Sequence, residues 1–430
     1  MAKRNTYTGI MTTAIHAGEM PDPGTNASAP PIHMSSTFVT DEPSGFSAHD
    51  LTDDSPYTYA RWANPTVDML EHKIAALEGA QACLCTASGM GAASAILFTF
   101  LSSGDHLVIS DVSYAGVAEL VRTTLPRMGV DVTPVDMSDL DAFAQAIRPG
   151  TKLVYTETPV NPIGRLTDLA AVSRLAHDAG ALVSCDATFA SPIGMDCIQL
   201  GVDLVMHSTT KYIGGHGDAV GGAVAGRADL IAQMRIEAGI HHGNVLSPVN
   251  AWLIARGAAT LPLRMRAHQE GALAVATWLE AQPSVTRVIY PGVPSHPQYE
   301  LAQRQMNNTS GMISFQVGSA ETGLSIAQDM IDRLNIIHYA VSLGHHRSLI
   351  FWMGSEGMID TSFQLNDRQA ASYRDWAGDG IFRLSVGLED ASDLIADLEG
   401  VLGGGNGVMC VDGGGCEGVA GGRGGGGGGG

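Results

Sequence analysis

The stretch STTKYIGGHGD, residues 208–218, sets Lys211 directly behind the hydroxyls of Ser208 and Thr210 and just ahead of Gly214, Gly215 and Gly217. The apolar run DLVMHS, residues 203–208, leads into it, so the lysine closes a buried strand, and the glycines let backbone approach closely. A lysine so placed has a readily shifted pKa, the property Schiff-base lysines use; taken alone, it equally fits a surface lysine after a strand. A second strand end, in LVSCDATF, carries Asp186. A carboxylate there must find a cation, donors or solvent, unless it merely caps the next segment. The third, CTASGMGAAS, runs a strand through Ser88, Gly89, Met90 and Gly91 into a helix. Free N–H groups and the positive end of the helix dipole would there face a phosphate, although a glycine turn of this kind is often only structural. GMGAAS is also loosely like a dinucleotide fingerprint, with Asp111 closing the next strand about 20 residues on.

Taken together, the three strand ends meet the requirements of pyridoxal 5'-phosphate. Lys211 would bond the cofactor covalently, and Asp186 would keep its pyridine nitrogen protonated so that the ring withdraws electrons; the glycine turn would cradle the phosphate. Tyr114, after the run HLVISD, is placed to stack on the ring or to act as acid and base. A dinucleotide reading leaves Lys211 without a role.

The elements that must position these residues alternate. ACLCT (82–86), HLVISD (106–111), KLVYTET (152–158), LVSCDA (182–187) and DLVMHS (203–208) are continuous apolar runs, which predicts strands buried on both faces. A helix is predicted from Asn64 as N-cap, with Pro65 in its first turn, to Gly79, and another over DLAAVSRLAHDAG, 168–180. Strand and helix in alternation predict an α/β fold with a mostly parallel sheet covered on both faces, whose ligands sit beyond the carboxyl ends of the strands. Residues 1–63, rich in Pro, Ser and Thr, read as an extended arm, and 64–263 as the large cofactor-binding domain. Longer amphipathic helices in RMRAHQEGALAVATWLEAQ and ETGLSIAQDMIDRLNII, separated by GMISFQVG and IFRLSVGLED, predict a smaller α+β domain over 264–402. Residues 403–430 are glycine-rich and predicted to be disordered, with too little apolar area to offset backbone entropy.

The sequence resembles the Cys/Met-metabolism (trans-sulfuration) family of pyridoxal phosphate enzymes, and within it the methionine and cystathionine γ-lyases, over roughly residues 8–402. YTYARWANPT, ASGMGA, SDVSYAG, TETPVNP, CDATF, HSTTKYIGGHGD and FRLSVGLED occur in the family's order and near its spacings. The resemblance implies the aspartate-aminotransferase fold and a homotetramer whose active sites are shared between subunits. It implies that Ser88, Gly89, Met90, Ser208 and Thr210 hold the phosphate, helped by Tyr59 and Arg61 of a neighbouring subunit. Tyr114 would stack on the cofactor, Asp186 pair with its nitrogen and Lys211 be the Schiff-base lysine. Asn161 and Arg383 would position the substrate carboxylate, Arg383 bidentately, with Ser342 near the lysine. The implied activity is γ-elimination from a sulfur amino acid such as methionine, homocysteine or cystathionine, giving a 2-oxo acid, ammonia and a thiol. γ-Replacement on an O-acyl homoserine is the alternative.

Three departures stand out. Gly116 occupies a position where many methionine γ-lyases have cysteine, and Ala187 follows Asp186 where the family usually has asparagine. Arg347, in SLGHHRSLIFW, stands where cystathionine-handling members carry glutamate. A cation cannot bind a distal ammonium, so Arg347, with His345 and His346, is expected to favour a neutral or anionic far end, unless it pairs with a nearby acid and never reaches the site. The segment FWMGSEGMIDTSFQLNDRQ replaces the family's usual His-Pro stretch and predicts a remodelled pocket rim.

Composition bounds the rest. A formal charge of −20, from 24 Lys plus Arg against 44 Asp plus Glu, argues against a surface for nucleic acid. No apolar run is long enough to span a bilayer and the start lacks a secretory signal, so a cytoplasmic enzyme is expected. Six cysteines in 430 residues are too sparse for a disulfide scaffold and read as buried thiols, and no metal site is expected, Cys410 and Cys416 lying in a segment without structure to hold one.

Overall fold

The computed structural model describes residues 7–40, 47–50 and 55–403. The glycine-rich stretch from residue 404, with Cys410 and Cys416, lies outside the described residues. Strands β1 (Ala82–Thr86), β2 (His106–Ser110), β3 (Asp131–Val135), β4 (Thr151–Glu157), β5 (Leu182–Asp186), β6 (Leu204–His207) and β7 (Gly222–Gly226) make one sheet in the order β1-β7-β6-β5-β4-β2-β3. The neighbours among β2 to β6 pair in parallel, while β7 is antiparallel to both β1 and β6. Strand β1 therefore points the same way as β6, and the carboxyl ends of β1, β4, β5 and β6 share one edge.

All five predicted apolar runs are strands, and two further strands carry no such signal. β3, DVTPV, is a partly exposed edge, where Pro134 costs no ladder bond. β7, GAVAG, is buried throughout but built of small residues. Their size is required: a Cβ on Gly222 would stand 2.2 Å from the Ser88 carbonyl oxygen, and one on Gly226 2.3 Å from that of Asp203.

The helix Pro65–Glu78 forms for the reasons read from its sequence. The Asn64 side chain accepts from the N–H groups of Thr66 and Val67, Pro65 occupies the first turn, and Gly79 ends it at φ 63°. Its Leu70 and Ile74 are fully buried among Ala251, Ile254 and Ala255 of the helix Pro248–Ala258, each contributing about 1.5–3 kcal/mol. The helix Leu169–Asp178 likewise starts on Asp168, whose side chain accepts from the Ala171 N–H.

A second sheet holds β8 (Arg287–Ile289), β9 (Met312–Gln316), β10 (His338–Tyr339), β11 (Leu349–Gly354) and β12 (Gly380–Ser385) in the order β10-β11-β12-β9-β8. Only β10 and β11 pair in parallel. Val275, Leu279, Met330, Leu394 and Leu398, from the helices Leu261–Glu280, Ala320–Arg333 and Ala391–Leu402, join Phe315 and Phe382 of the sheet in one core. The second of these helices stops at Arg333, short of the predicted end, because the N–H groups of Asn335, Ile336 and Ile337 turn to the Asp397 carboxylate. Cys83, Cys85, Cys185 and Cys197 are buried free thiols. No described helix is long and apolar enough to cross a membrane.

Candidate active site

The shared strand edge opens into a cavity of about 500 Å³ whose opposite wall belongs to β11, β12 and the segment between β10 and β11. At one end, Ser88 caps the helix Gly89–Phe100, its Oγ accepting from the Gly91 N–H at 3.0 Å. The N–H groups of Gly89 and Met90 belong to the first turn, where no intrahelical acceptor exists. A Cβ on Gly89 would lie 2.7 Å from the Ser208 Cβ and 2.8 Å from its Oγ, so only glycine lets the turn meet β6's end. Asn244, which carried no sequence signal, stitches this turn: its Oδ1 accepts from the Ala87 N–H at 3.2 Å and its Nδ2 donates to the Gly91 carbonyl at 2.7 Å. Thr210 lines the cavity with its hydroxyl already donating to the Gly221 carbonyl at 3.2 Å and accepting from the Gly221 N–H at 3.0 Å.

Asp186 is the last residue of β5 and 6% exposed. Its Oδ1 accepts from the Thr188 N–H at 3.0 Å and the Thr188 hydroxyl at 2.5 Å. Burial raises its pKa, and the Thr188 bonds and His207 pull back. Across the ladder stands Glu157, the last residue of β4. One of its oxygens accepts from the Tyr114 N–H at 2.6 Å, the other from the Asn161 N–H at 2.8 Å. Burial first, and Asp186 second, push its carboxyl well up. Two buried acids at adjacent strand ends form a site that a cation would relieve, and a protonated pyridine nitrogen against Asp186 is such a cation. The donor-rich helix end and these acids, at one edge of one sheet, fit the two poles of pyridoxal phosphate.

Lys211 lines the same cavity. Its Nζ donates to Ser342 Oγ at 2.9 Å, and burial, with Arg383 as the second cause, lowers its pKa to about 8. Arg383, buried on β12, donates to Asn161 Oδ1 at 2.9 Å and to the Ser342 carbonyl at 3.2 Å. The tyrosine ring of Tyr114 is half-exposed and lines the cavity. Beyond these groups the lining becomes Phe189, Val341, Phe351, Met353, Met358 and Phe363. The last two come from a π-helix, Met358–Phe363, closed by Gln364 at φ 47°. The charged side chains of the lining are Glu157, Asp186 and Lys211 on the side of the first sheet and Arg383 on β12, across the ladder from Phe351.

The chain belongs to the Cys/Met metabolism PLP-dependent enzyme family, which it matches over residues 11–403. It is 40% identical over 395 residues to a canavanine gamma-lyase of Pseudomonas canavaninivorans, covering 91% of this chain and 95% of that one. It is 41% identical to a cystathionine gamma-synthase of Mycobacterium tuberculosis (92% and 97% covered) and 41% identical to an L-methionine gamma-lyase of Fusobacterium nucleatum subsp. polymorphum (91% and 97%). The structure of cystathionine gamma-lyase from Lactobacillus plantarum complexed with L-serine superposes with a TM-score of 0.81 at 35% identity, over 92% of this chain and 98% of that one. Pyridoxal phosphate is thus the cofactor, and the fold is that of the type I PLP enzymes.

Within this PLP-dependent enzyme, other sequence-predicted residues stand apart from the cavity. Tyr59 and Arg61 do not line it; Arg61 donates to the Ile240 carbonyl at 2.5 Å and lies 5.4 Å from the Tyr59 ring. Arg347 is exposed, and neither it nor His345 nor His346 is in the lining. Gly116 leaves a space already taken: a Cβ there would be 2.9 Å from the Tyr114 ring and 3.0 Å from Met90 Sδ. Ala187 is fully buried, its N–H donating to the Met206 carbonyl at 3.0 Å. Asp111, the acid of the dinucleotide reading, is buried against Arg165 and serves the core. Glu157, Thr188 and Asn244 were missed; only Glu157 had a signal, as the acid ending the predicted strand KLVYTET.

Proposed function

We propose that the protein is a PLP-dependent carbon–sulfur γ-lyase acting on a sulfur amino acid whose γ-substituent is neutral and apolar, methionine first among them. The observation that carries this reading is the apolar wall of Phe351 and Met353 from β11 with Met358 and Phe363 from the π-helix, which offers a thioether apolar contact and a distal ammonium no counter-ion. The overall change is methionine plus water to 2-oxobutanoate, ammonia and methanethiol.

The cofactor supplies an electron sink conjugated with the substrate's α-carbon. The chain supplies the rest. Arg383, oriented by Asn161, binds the substrate carboxylate and fixes the α-carbon over the lysine. The Lys211 amine, with its pKa lowered to about 8, is a base suited to neutral pH and can take protons from Cα and then Cβ. Tyr114, half-exposed in the cavity lining, can donate a proton to the departing sulfur.

The second reading is γ-replacement on an O-acyl homoserine, favoured by the 41% identity to a cystathionine gamma-synthase. The assembly proposed is a cytoplasmic homotetramer. It is supported by the absence of Tyr59 and Arg61 from the lining of their own cavity and by the exposed Ile10, Ile15, Met34 and Val39 of the arm, apolar side chains that a partner subunit would cover. Product analysis tests the reaction. Methionine alone should yield 2-oxobutanoate and methanethiol; turnover only with both an O-acyl homoserine and a thiol would replace the lyase reading with the second one.

A further inference from the structure

Ser342 holds a backbone conformation rare for a residue with a side chain, φ 90°, and from it reaches in two directions. On one side is Lys211 Nζ at 2.9 Å; on the other is His345 Nε2 at 3.2 Å. The slot for the imidazole exists because residue 217 is glycine: a Cβ there would stand 2.8 Å from His345 Cε1 and Nδ1. We propose that His345 sets the direction of the Ser342 hydroxyl and, through it, the protonation of Lys211, making His345 a positioning residue for cofactor attachment.

A serine hydroxyl has one proton to give. If His345 Nε2 is bare it takes that proton, and Ser342 Oγ is left to accept from a Lys211 ammonium. If Nε2 carries a proton it donates to Ser342 Oγ, the hydroxyl proton turns to Lys211, and the free amine is favoured. Among the described residues Nε2 has Ser342 as its hydrogen-bond partner, and the proposed role belongs to the tautomer with the proton on Nε2. The surroundings keep the ring neutral near pH 7. Burial, Lys211, His346 and Arg347 all lower its pKa, Asp218 alone raises it, and Arg383 faces Ser342 from β12. Attachment needs the free amine: Nζ bonds to the cofactor's aldehyde carbon, and the aldehyde oxygen leaves as water with both amine hydrogens.

The inference rests on Lys211 as the attachment point and not on the substrate. The test strips the full chain of cofactor and follows the visible band as pyridoxal phosphate is added back across pH. In wild type the attachment rate rises with pH through about 8, where Lys211 loses its proton. His345→Ala moves that rise upward and slows attachment at pH 7 by about threefold to tenfold, the factor one neutral hydrogen bond carries. His345→Gln, whose amide N–H can replace Nε2–H, restores most of the rate. In a Ser342→Ala background His345→Ala has no further effect, and His346→Ala, outside the chain of contacts, leaves the profile in place. An unshifted profile in His345→Ala, or shifts from Ser342→Ala and His345→Ala that simply add, overturns the role of His345. A chain that gains the band in Lys211→Ala overturns the attachment point instead.

Discussion

At the end of the cavity where the first sheet stops, each group is fixed by its place in a strand and by a directional bond: Asp186 by Thr188, Glu157 by two backbone N–H groups, Ser88 by the helix it caps. The opposite wall, from β11 and the π-helix after it, presents methionine and phenylalanine side chains that define a volume and no direction. The cofactor end needs particular atoms at particular points, because a phosphate, a pyridine nitrogen and an amine each accept few partners. The substrate end needs only an apolar shape, which many sequences can supply. In the proposed function, chemistry is set at one end and the choice of γ-substituent at the other.

That contrast can be broken in four places. Lys211→Ala should abolish the visible band and cut turnover by about four orders of magnitude, the upper range for a positioned general base. Lys211 also reports on the apo-protein. Its folded pKa, about 8, lies below the ordinary 10.5, so the unfolded chain binds more protons between those values and the charged lysine weakens the fold below pH 8. Apo Lys211→Met should be the more stable protein at pH 7, by about 3 kcal/mol, with the gap closing as pH rises toward 10.5 in denaturant titrations.

Glu157→Ala tests whether the strand ends hold Tyr114 and Asn161 as a unit. One buried and one part-buried N–H lose their acceptor, and unfolding should become easier by about 1–3 kcal/mol. Met358→Glu tests the opposite wall. An unpaired carboxylate there should lower kcat/KM for methionine by about 10- to 100-fold and leave the cofactor band unchanged, whereas equal losses in band and turnover would mean the two ends are not separable. The smallest effect belongs to Arg347→Ala. An exposed residue off the cavity should leave the methionine-to-cystathionine preference within about twofold. A tenfold change would bring Arg347 into a neighbouring subunit's site.

How much could be read beforehand follows the same division. β1, β2, β4, β5 and β6 were legible because burial on both faces leaves a continuous apolar run, and the helix from Asn64 because its cap, its proline and its glycine are local signals. β7 was hidden, since a strand squeezed between neighbours is written in glycine and alanine, which signal nothing by period. Asn244 and Thr188 were hidden because their partners lie across the fold or in a two-residue turn that any hydroxyl residue could make. For Arg347 the sequence left two places open, in the site or away from it. Its sequence neighbourhood joins the site through Ser342, while Arg347 itself is exposed and absent from the cavity lining of its own chain.

The sequence by itself determined five strands of the first sheet, the family and the identity of the cofactor, because those depend on continuous apolar runs, on residue types at strand ends and on local caps and turns. Tertiary structure alone decided that Glu157 shares a ladder rung with Asp186, that Asn244 stitches the turn at Gly91 from 153 residues away, and that His345 reaches Lys211 through Ser342. Such pairings depend on how two sheets close over one cavity, and a hydrogen bond of about 3 Å has no trace in the order of residues that make it.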